Sequence, residues 1–251
     1  RLFECLLANG SITAFYLIAQ AYSQARSMIW VPSFAEYEDA CRLYKHTLTF
    51  FSNQRNLSEL DLSQQDFCWI CNPNNPDGKL ISREDLLALI RQNRQTTFVI
   101  DQVYADFYPG HLLDLKDIEA NPNLLIVQSI SKLHKIPGMR IGYLAASEEM
   151  IRRISTYLIP WSVNALAIEV GKYILQHPEQ FEFHVITQDI NDDNCIRQFE
   201  DAGYTVHVVT HKRKSIAKNI REVYQVLKQE RFDIVHSHMT LTNFYVLFLA
   251  K

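Results

Sequence analysis

The chain contains 251 residues, of which 47% are hydrophobic and 21% are charged, and its formal net charge is −3. This length is enough for one large domain or two modest ones, and the composition is typical of a soluble globular protein. The slightly negative charge argues against nucleic acid or an anionic membrane as a partner, and no apolar run is long enough to span a bilayer. Because the first residue is Arg1 rather than Met, we expect a fragment cut before its natural start.

Apolar periodicity and turn residues predict alternating helices and strands in the first two thirds of the chain. In chain order these are a helix in NGSITAFYLIAQAYS, a strand in MIWV, a helix in AEYEDACRLYKH, a strand in DFCWIC, a helix in SREDLLALIRQN, strands in TFVID, LLIVQ and RIGYLAAS, and helices in SEEMIRRISTYL and SVNALAIEVGKYILQH. The strands are apolar throughout, as in sheets that are covered on both faces. The sequence therefore predicts an α/β fold with a mainly parallel sheet sandwiched by helices.

A domain boundary is predicted at His177-Pro178, because the residue before a proline is disfavoured in a helix. Beyond it, a partial Rossmann-like α/β segment is predicted, with strands in FEFHVITQ, YTVHVVT and FDIVHS and helices in NDDNCIRQFEDAG, KSIAKNIREVYQVLKQE and LTNFYVLFLAK. His236 and His238 alternate on the last strand without an evident third ligand, so we predict no metal site there. No G-x-G-x-x-G or P-loop motif supports a dinucleotide or P-loop site.

The sequence contains five cysteines, an odd number spread widely along the chain. This distribution argues against a disulfide framework and predicts a reducing, cytoplasmic location. Cys68 and Cys71 form a C-x-x-C pair, but they lie on a predicted strand rather than at the start of a helix, where redox pairs occur. A zinc site would need a second pair, so we interpret both residues as packed strand cysteines.

Three chemically distinctive side chains follow predicted strands, at the point where each strand ends. Asp101 ends one strand, and Asn75 and Lys132 follow two others. The strand ends lie roughly thirty residues apart, which is the length of one βαβ crossover. Because the carboxyl ends of parallel strands meet at one edge of a sheet, we expect these three residues to converge. Asp101 could simply cap a helix and Lys132 could be a solvated loop residue, but a desolvated lysine near other cations is also suited to form a Schiff base.

Several groups near Lys132 and near the first helix are suited to bind a phosphate. Arg140 presents a planar fork of donors, and Ser129 and Ser131 add hydroxyl groups. The NGS turn enters a helix, whose free N–H groups and positive dipole end attract anions. Together with Lys132 and Asp101, these groups describe a ligand with a phosphate, an aldehyde and a ring that needs an acidic partner. That ligand is pyridoxal 5'-phosphate.

The motifs NGS, PSF, NNPDG, DQVY and SISKLHKIPGMR occur in this order along the chain. In order and spacing, residues from about 4 to 178 resemble the large domain of the fold-type-I pyridoxal phosphate enzymes, the class I/II aminotransferases. The most specific part is S-x-S-K followed by an arginine eight residues later. The resemblance implies a truncated large domain over residues 1–178, a small-molecule amino substrate, and homodimers with sites at the interface.

The resemblance also implies roles for individual residues. Lys132 matches the lysine that captures the cofactor aldehyde and moves the proton in the reaction. Asp101 matches the carboxylate on the pyridinium nitrogen, and so makes the ring an electron sink. Asn75 and Tyr104 match the pair that hydrogen-bonds the phenolic oxygen, and Phe34 takes the position of the stacked aromatic ring.

The phosphate is assigned by the same resemblance to the backbone of Gly10, Ser11 and Ile12, with Ser129 and Arg140 completing the cradle. In the NNPDG motif an aspartate, Asp77, replaces the usual threonine, but Asn75 and Gly78 remain, so we expect the turn to persist. The segment PWSVNALA is most similar to threonine-phosphate decarboxylases of cobamide synthesis, with histidinol-phosphate aminotransferases as the competing assignment. The arginine of the family's small domain that binds the substrate carboxylate is not recognisable.

Residues 182–251 resemble a different family, the N-terminal domain of retaining GT-B glycosyltransferases, on the stretch FDIVHSH followed by a helix. Three hypotheses follow. The chain is a pyridoxal phosphate enzyme acting on a phosphorylated amino acid or amine, a glycosyltransferase-type protein that binds a sugar nucleotide, or an inactive composite of two partial enzymes.

Overall fold

The computed structural model describes residues 3–108, 112–134, 136–177, 184–188, 196–197, 200, 204–232 and 235. The chain divides into two compact units, Arg1–Gln176 and His177–Lys251. None of the described helices is both long enough and apolar enough to cross a membrane.

The first unit is built around a seven-stranded sheet. Its strands are β1 (Glu4–Ala8), β2 (Arg26–Val31), β3 (Thr47–Ser52), β4 (Phe67–Cys71), β5 (Thr97–Asp101), β6 (Leu124–Gln128) and β7 (Gly142–Ala146). The spatial order is β1-β7-β6-β5-β4-β2-β3. Strands β2 to β6 pair in parallel, and β7 pairs antiparallel with both β6 and β1. The predicted mainly parallel sheet is therefore confirmed.

Helices cover both faces of this sheet, as the apolar strands predicted. They are α1 (Ser11–Ala21), α2 (Glu36–Leu43), α3 (Arg83–Gln92), α4 (Leu115–Ala120), α5 (Glu148–Ser155) and α6 (Ala165–Gln176). Along β4, Phe67, Trp69 and Cys71 belong to a core with α1, α2 and α5, whereas Cys68 and Ile70 belong to a core with α3 and α4. Alternate residues of one strand thus enter two different cores, which is why the strand has no polar face.

The C-x-x-C pair lies on β4, as predicted, and both thiols are free and buried. Burial raises the pKa of Cys68 and of Cys71 to about 12. A thiol with so high a pKa carries almost no thiolate near neutral pH and is therefore unreactive. The interpretation as packed strand cysteines is confirmed.

Strands β1 and β3 were not predicted, and they are the two edge strands of the sheet. Each has a neighbour on one side only, and each contains exposed and partly buried residues with a single buried one, Ala8 in β1 and Phe51 in β3. Their pairing with β7 and β2 is a tertiary interaction, so a short, weakly apolar sequence gives little sign of it.

The predicted turn after β4 is present with aspartate in place of threonine. Gly78 adopts a φ of +70°, which favours glycine, and its N–H donates to the Asn74 carbonyl at 2.8 Å. Asp77 accepts hydrogen bonds from the side-chain amides of Asn74 and Asn53, both at 2.7 Å. The aspartate therefore stabilises the turn by hydrogen bonds of its own.

The start of helix α1 lies against β7 because two glycines let the backbones approach closely. Gly10 caps the helix with a φ of +84°. A Cβ atom on Gly142 would lie 2.6 Å from the backbone nitrogen of Ser11 and 2.8 Å from the carbonyl carbon of Gly10. On the opposite side of its first turns, α1 buries Ala14 and Phe15 in the core. The helix N-terminus is thus fixed over the edge of the sheet.

The described residues of the second unit form two parallel strands, β8 (His184–Gln188) and β9 (Thr205–Val209), and one long helix, α7 (Ile216–Glu230). Ser215 caps α7 by accepting a hydrogen bond from the Lys218 N–H at 3.3 Å. These elements match the predictions for FEFHVITQ, YTVHVVT and KSIAKNIREVYQVLKQE. The predicted strand in FDIVHS, with His236 and His238, and the helix in LTNFYVLFLAK lie largely or wholly outside the described residues, as does most of NDDNCIRQFEDAG.

Replacing Gly142 by alanine should destabilise the first unit, because the new Cβ meets backbone atoms that cannot move without shifting α1. We expect the free energy of unfolding to fall by about 1–3 kcal/mol, as in other overpacked sites. Urea denaturation followed by far-ultraviolet circular dichroism measures the change. Gly138→Ala is the matched control, since nothing lies within 4 Å of its added Cβ. Equal stability of the two variants would contradict the close approach.

Candidate cofactor site

The carboxyl ends of strands β4, β5 and β6 bring the predicted residues to one edge of the sheet. In the sheet register, Asp101 lies beside Cys71 on β4 and Val127 on β6. The Lys132 Nζ lies 5.9 Å from the centre of the Tyr104 ring, and the positive charge of Lys132 lowers the pKa of Asp101. Lys132 and Asp101 are thus close enough to interact, as the strand spacing predicted.

Asp101 is a buried carboxyl group with two hydrogen-bond donors. It is 5% exposed, the Tyr37 hydroxyl donates to its Oδ2, and the Val103 N–H donates to its Oδ1 at 2.9 Å. Burial raises its pKa to about 6, although the bonds from Tyr37 and Val103 and the charge of Lys132 act in the opposite direction. The carboxylate form therefore lacks a full counter-charge and would be stabilised by a cationic group beside it.

Tyr37 is a site residue that the sequence analysis missed. It is fully buried on helix α2, with its ring 4.9 Å from that of Phe15 and stacked at 6.1 Å on Trp69. Burial and the charge of Asp101 raise the pKa of Tyr37 well above its ordinary value. The hydroxyl therefore stays protonated and can donate a hydrogen bond to Asp101. In the sequence, Tyr37 lies three residues after Phe34, which was the only hint that it belongs to the site. Nothing in the sequence indicated which strand its side chain would face.

Two aromatic residues, Phe34 and Tyr104, lie near the carboxyl group of Asp101. The Phe34 ring contacts the Tyr37 ring edge-on, with centroids 5.9 Å apart. Tyr104 is partly buried, and its pKa is raised by burial and by the neighbouring Cys71 and Asp101. Asn75 lies in the turn that follows β4, and its backbone hydrogen-bonds to the Cys71 thiol. Phe34 is thus linked to Asp101 through Tyr37, Tyr104 contacts Lys132, and Asn75 lies beside the end of β4.

A cationic cradle lies at the N-terminus of helix α1. Gly10 caps the helix without a side-chain hydrogen bond, so the backbone N–H groups of Ser11 and Ile12 belong to an uncapped first turn. The Arg140 guanidinium lies directly against Gly10, where a Cβ atom would come within 2.8 Å of its Cζ. A Cβ atom at this position would displace the guanidinium, and the φ of +84° also favours glycine, while the helix dipole adds positive charge at the same place.

Ser129 and Ser131 hold the loop that leads from β6 to Arg140. The Ser129 hydroxyl donates to the Ile141 carbonyl at 2.8 Å and lies 2.7 Å from the Ser131 hydroxyl. Both serines are buried. These bonds fix the loop between Lys132 and Arg140 at both of its ends.

The residues present fit pyridoxal phosphate. Within the described part of the chain, no carboxylate forms an ion pair with Arg140, although it lies beside the positive end of a helix. An anion of phosphate size would neutralise both groups. At the other end of the site, the buried Asp101 would be neutralised by a protonated ring nitrogen. The site thus combines a cationic cradle that can bind an anion, the amine of Lys132, and the carboxyl group of Asp101, which can pair with a cation.

The strand order, the covered sheet and this arrangement of charges define a protein with the fold of the pyridoxal phosphate transferases. The chain belongs to the family of aminotransferases class I and II, whose model matches residues 4–248. Enzymes of this family use pyridoxal 5'-phosphate.

Individual relatives agree with the family assignment. The chain is 30% identical over 182 residues to the threonine-phosphate decarboxylase of Salmonella typhimurium, covering 68% of this chain and 50% of that protein. It is 26% identical over 192 residues to the histidinol-phosphate aminotransferase of Ruminiclostridium cellulolyticum, with 72% and 53% covered. The crystal structure of L-threonine-O-3-phosphate decarboxylase from Porphyromonas gingivalis is 48% identical, with a TM-score of 0.69 over 70% of this chain and 55% of that one. The chain therefore spans about half the length of these relatives.

The comparisons do not support the expected resemblance of residues 182–251 to glycosyltransferases, because the class I and II model continues to residue 248. The motif that suggested it, an apolar segment ending in histidine, is common in α/β proteins. A short apolar sequence with alternating histidines is therefore a weak signal of family.

Replacing Asp101 by asparagine should stabilise the cofactor-free protein, and by more as the pH rises. The folded-state pKa of about 6 exceeds the ordinary value of 3.8, so folding favours the protonated acid. Its contribution to stability is complete below about pH 4 and is lost as the pH rises through about 6. Asparagine does not titrate, so the variant does not lose this stability. The excess of its free energy of unfolding over that of the wild type should grow to about 3 kcal/mol near neutral pH.

Urea denaturation of both cofactor-free proteins at a series of pH values measures this difference. Asp61→Asn is the control, since the Asp61 carboxyl group is exposed and hydrogen bonds from Ser63 lower its pKa rather than raise it. A pH-independent difference between wild type and Asp101→Asn would show that the carboxyl group does not titrate in this range.

Proposed function

We propose that the chain carries the cofactor-binding half of a pyridoxal phosphate enzyme that acts on a phosphorylated amino acid or amine. Residues 1–178 form its truncated large domain in this proposal. The observation that supports it best is the pairing of the buried Asp101, held by Tyr37, with the amine of Lys132 and the cationic cradle around Gly10 and Arg140.

Each residue has a separate task in this proposal. When bound, the cofactor supplies an electron-withdrawing ring that stabilises negative charge on the substrate Cα. Asp101 keeps a proton on the ring nitrogen, and Tyr37 holds Asp101 in place. Lys132 would hold the cofactor at its aldehyde carbon through Nζ, and its amine would move a proton to or from the substrate. Asn75 and Tyr104 hydrogen-bond the phenolic oxygen.

The remaining residues position the ring and its phosphate. Phe34 packs on the ring face, next to Tyr37. The N–H groups of Ser11 and Ile12, the Ser129 hydroxyl and the Arg140 guanidinium bind the phosphate oxygens, while Gly10 leaves the space that this approach requires. Groups that bind the phosphate at one end and the ring nitrogen at the other would hold the ring in place, whereas contacts to the substrate itself would select the bond that breaks.

Among phosphorylated substrates, we favour L-threonine O-3-phosphate with loss of the carboxylate. The support is the 48% identity to the decarboxylase from Porphyromonas gingivalis and the 30% identity to the enzyme from Salmonella typhimurium. Transamination of histidinol phosphate is the second candidate, since relatives with that activity are 26–29% identical. The two reactions differ in the bond held perpendicular to the ring.

We further propose that the protein works as a homodimer in the cytoplasm. The dimer is proposed from the family resemblance. The location is supported by the four cysteines within the described residues, which are all free thiols: Cys5, Cys41, Cys68 and Cys71.

Addition of pyridoxal phosphate to the purified chain should produce a visible absorption band, and Lys132→Ala should abolish it. Borohydride reduction followed by peptide mass spectrometry should place the cofactor on the peptide that contains Lys132. Lys172→Ala is the control, because Lys172 is an exposed lysine of the same unit that pairs with Glu169. Labelling of other lysines with equal efficiency would contradict the assignment.

Arg140→Gln should weaken binding of pyridoxal phosphate but not of pyridoxal, which lacks the phosphate. Loss of a charge-assisted hydrogen bond should raise the dissociation constant for the phosphorylated form by about 10–100-fold. Fluorescence titration measures both ligands, with the exposed Arg152→Gln as a control. An equal loss for both ligands would show that Arg140 acts on the fold rather than on the phosphate.

The reaction itself is tested by incubating the cofactor-loaded chain with each candidate substrate. Release of carbon dioxide from L-threonine O-3-phosphate would support the first candidate, and transfer of the amino group from histidinol phosphate to a 2-oxo acid would support the second. Cofactor binding without either reaction would confirm the site and overturn both substrates for this chain.

A further inference from the structure

Three potential metal ligands meet in the second unit, apart from the cofactor site. His184 is the first residue of β8, His207 lies on β9, and Glu230 is the last residue of α7. In the parallel register His184 pairs with Thr205, so His207 is its diagonal neighbour two residues further along. Residues two apart on a strand share a face, which places both imidazoles on the same side of the two strands.

The ligand atoms of these residues form a compact triangle. The His184 Nδ1 lies 2.9 Å from the His207 Nε2, and the two rings are nearly parallel. The two Glu230 oxygens each face one histidine, with Oε2 lying 3.9 Å from the His184 Nδ1 and Oε1 lying 3.9 Å from the His207 Nε2. All three ligand atoms lie within 4.8 Å of one another.

The surroundings shield the triangle without closing it. The side chains of His184, His207 and Glu230 are 10%, 18% and 34% exposed. The Phe232 ring packs edge-on against His184 at 5.0 Å and covers one side. Glu230 ends a helix, and the partial negative charge at a helix C-terminus favours a cation there.

We propose that His184, His207 and Glu230 bind a zinc ion. Two imidazoles and one carboxylate are a ligand set that zinc accepts in proteins, with water in the fourth position. Imidazole ligands exclude the hard cations calcium and magnesium, which require oxygen. The site is independent of the cofactor site and of the function proposed above.

The geometry is compatible with zinc after adjustment of the side chains. Zinc bonds of about 2.0–2.1 Å in a tetrahedral arrangement hold the ligand atoms roughly 3.3 Å apart. The two histidine nitrogens, 2.9 Å apart, are slightly closer than this, and each lies 3.9 Å from a different Glu230 oxygen. With one oxygen as the ligand, all three atoms lie within 4.8 Å of one another, so a change of the Glu230 side-chain torsions by roughly 1 Å or more at the oxygen would complete the site.

Such an ion would connect β8, β9 and α7, the described elements of the second unit, which share a small apolar core. Within the described residues, that core has three buried members, Val209, Val223 and Leu227. Small cores are commonly supplemented by a structural metal, whose binding free energy becomes folding free energy. The ion joins β8, β9 and the end of α7 at the side of the sheet where α7 packs.

The full chain, stripped of metal and kept in a reductant that does not chelate zinc, is titrated with zinc chloride by calorimetry. We expect one ion per chain, and a thermal midpoint several degrees higher with zinc than with chelator. His184→Gln, His207→Gln and Glu230→Gln should each weaken binding by at least 10–100-fold, the range known for groups that only support a ligand. His211→Gln, a histidine of the same unit outside the triangle, should bind as wild type does.

Cobalt substitution distinguishes this site from the thiols. Visible bands of tetrahedral cobalt that disappear in the Glu230→Gln variant would support the proposal, since glutamine keeps the shape of the side chain. Three outcomes overturn it: no zinc-dependent stabilisation of the wild type, binding that all three variants retain, or variants that lose stability equally with zinc and with chelator. The last outcome would identify the triangle as a hydrogen-bonded network only.

Discussion

A carboxyl group at the end of a buried strand has to be stabilised by its neighbours, and the geometry of the candidate site follows from how this is achieved for Asp101. Water is excluded by aromatic side chains, so Tyr37 and the Val103 N–H provide the hydrogen bonds that solvent would otherwise give. These two donors do not balance a full negative charge, and the pKa stays raised. A group with a positive charge is therefore favoured beside the carboxylate, within reach of Lys132.

At the other end of the site, it is positive charge that lacks a partner among the described residues. There a guanidinium lies against the uncapped start of α1, and the close packing of Gly10 and Gly142 brings the two together. The two ends need ligands of opposite charge, and one molecule with a ring nitrogen and a phosphate provides both. Because both ends rest on the same rigid sheet, the distance between them is set by the fold rather than by the loops.

The two units of the chain differ in how they are stabilised. The first buries large apolar side chains on both faces of its sheet, and this burial is a main source of its stability. The described part of the second has a small apolar core beside a triangle of metal-binding groups. The chain spans about half the length of the relatives that it matches.

The sequence by itself determined the order of most elements and the mainly parallel sheet of the first unit, because apolar periodicity and strand spacing are local properties. It also predicted that Asp101, Asn75 and Lys132 follow strands of that sheet. It did not indicate Tyr37 as the partner of Asp101, nor the pairing of His184 with His207 and Glu230. These contacts join residues that are 64 and 23 positions or more apart. Only the packing of α2 on the sheet, and of α7 on β8 and β9, decides which distant side chains meet. The edge strands β1 and β3 were missed for the same reason, since pairing rather than local pattern forms them.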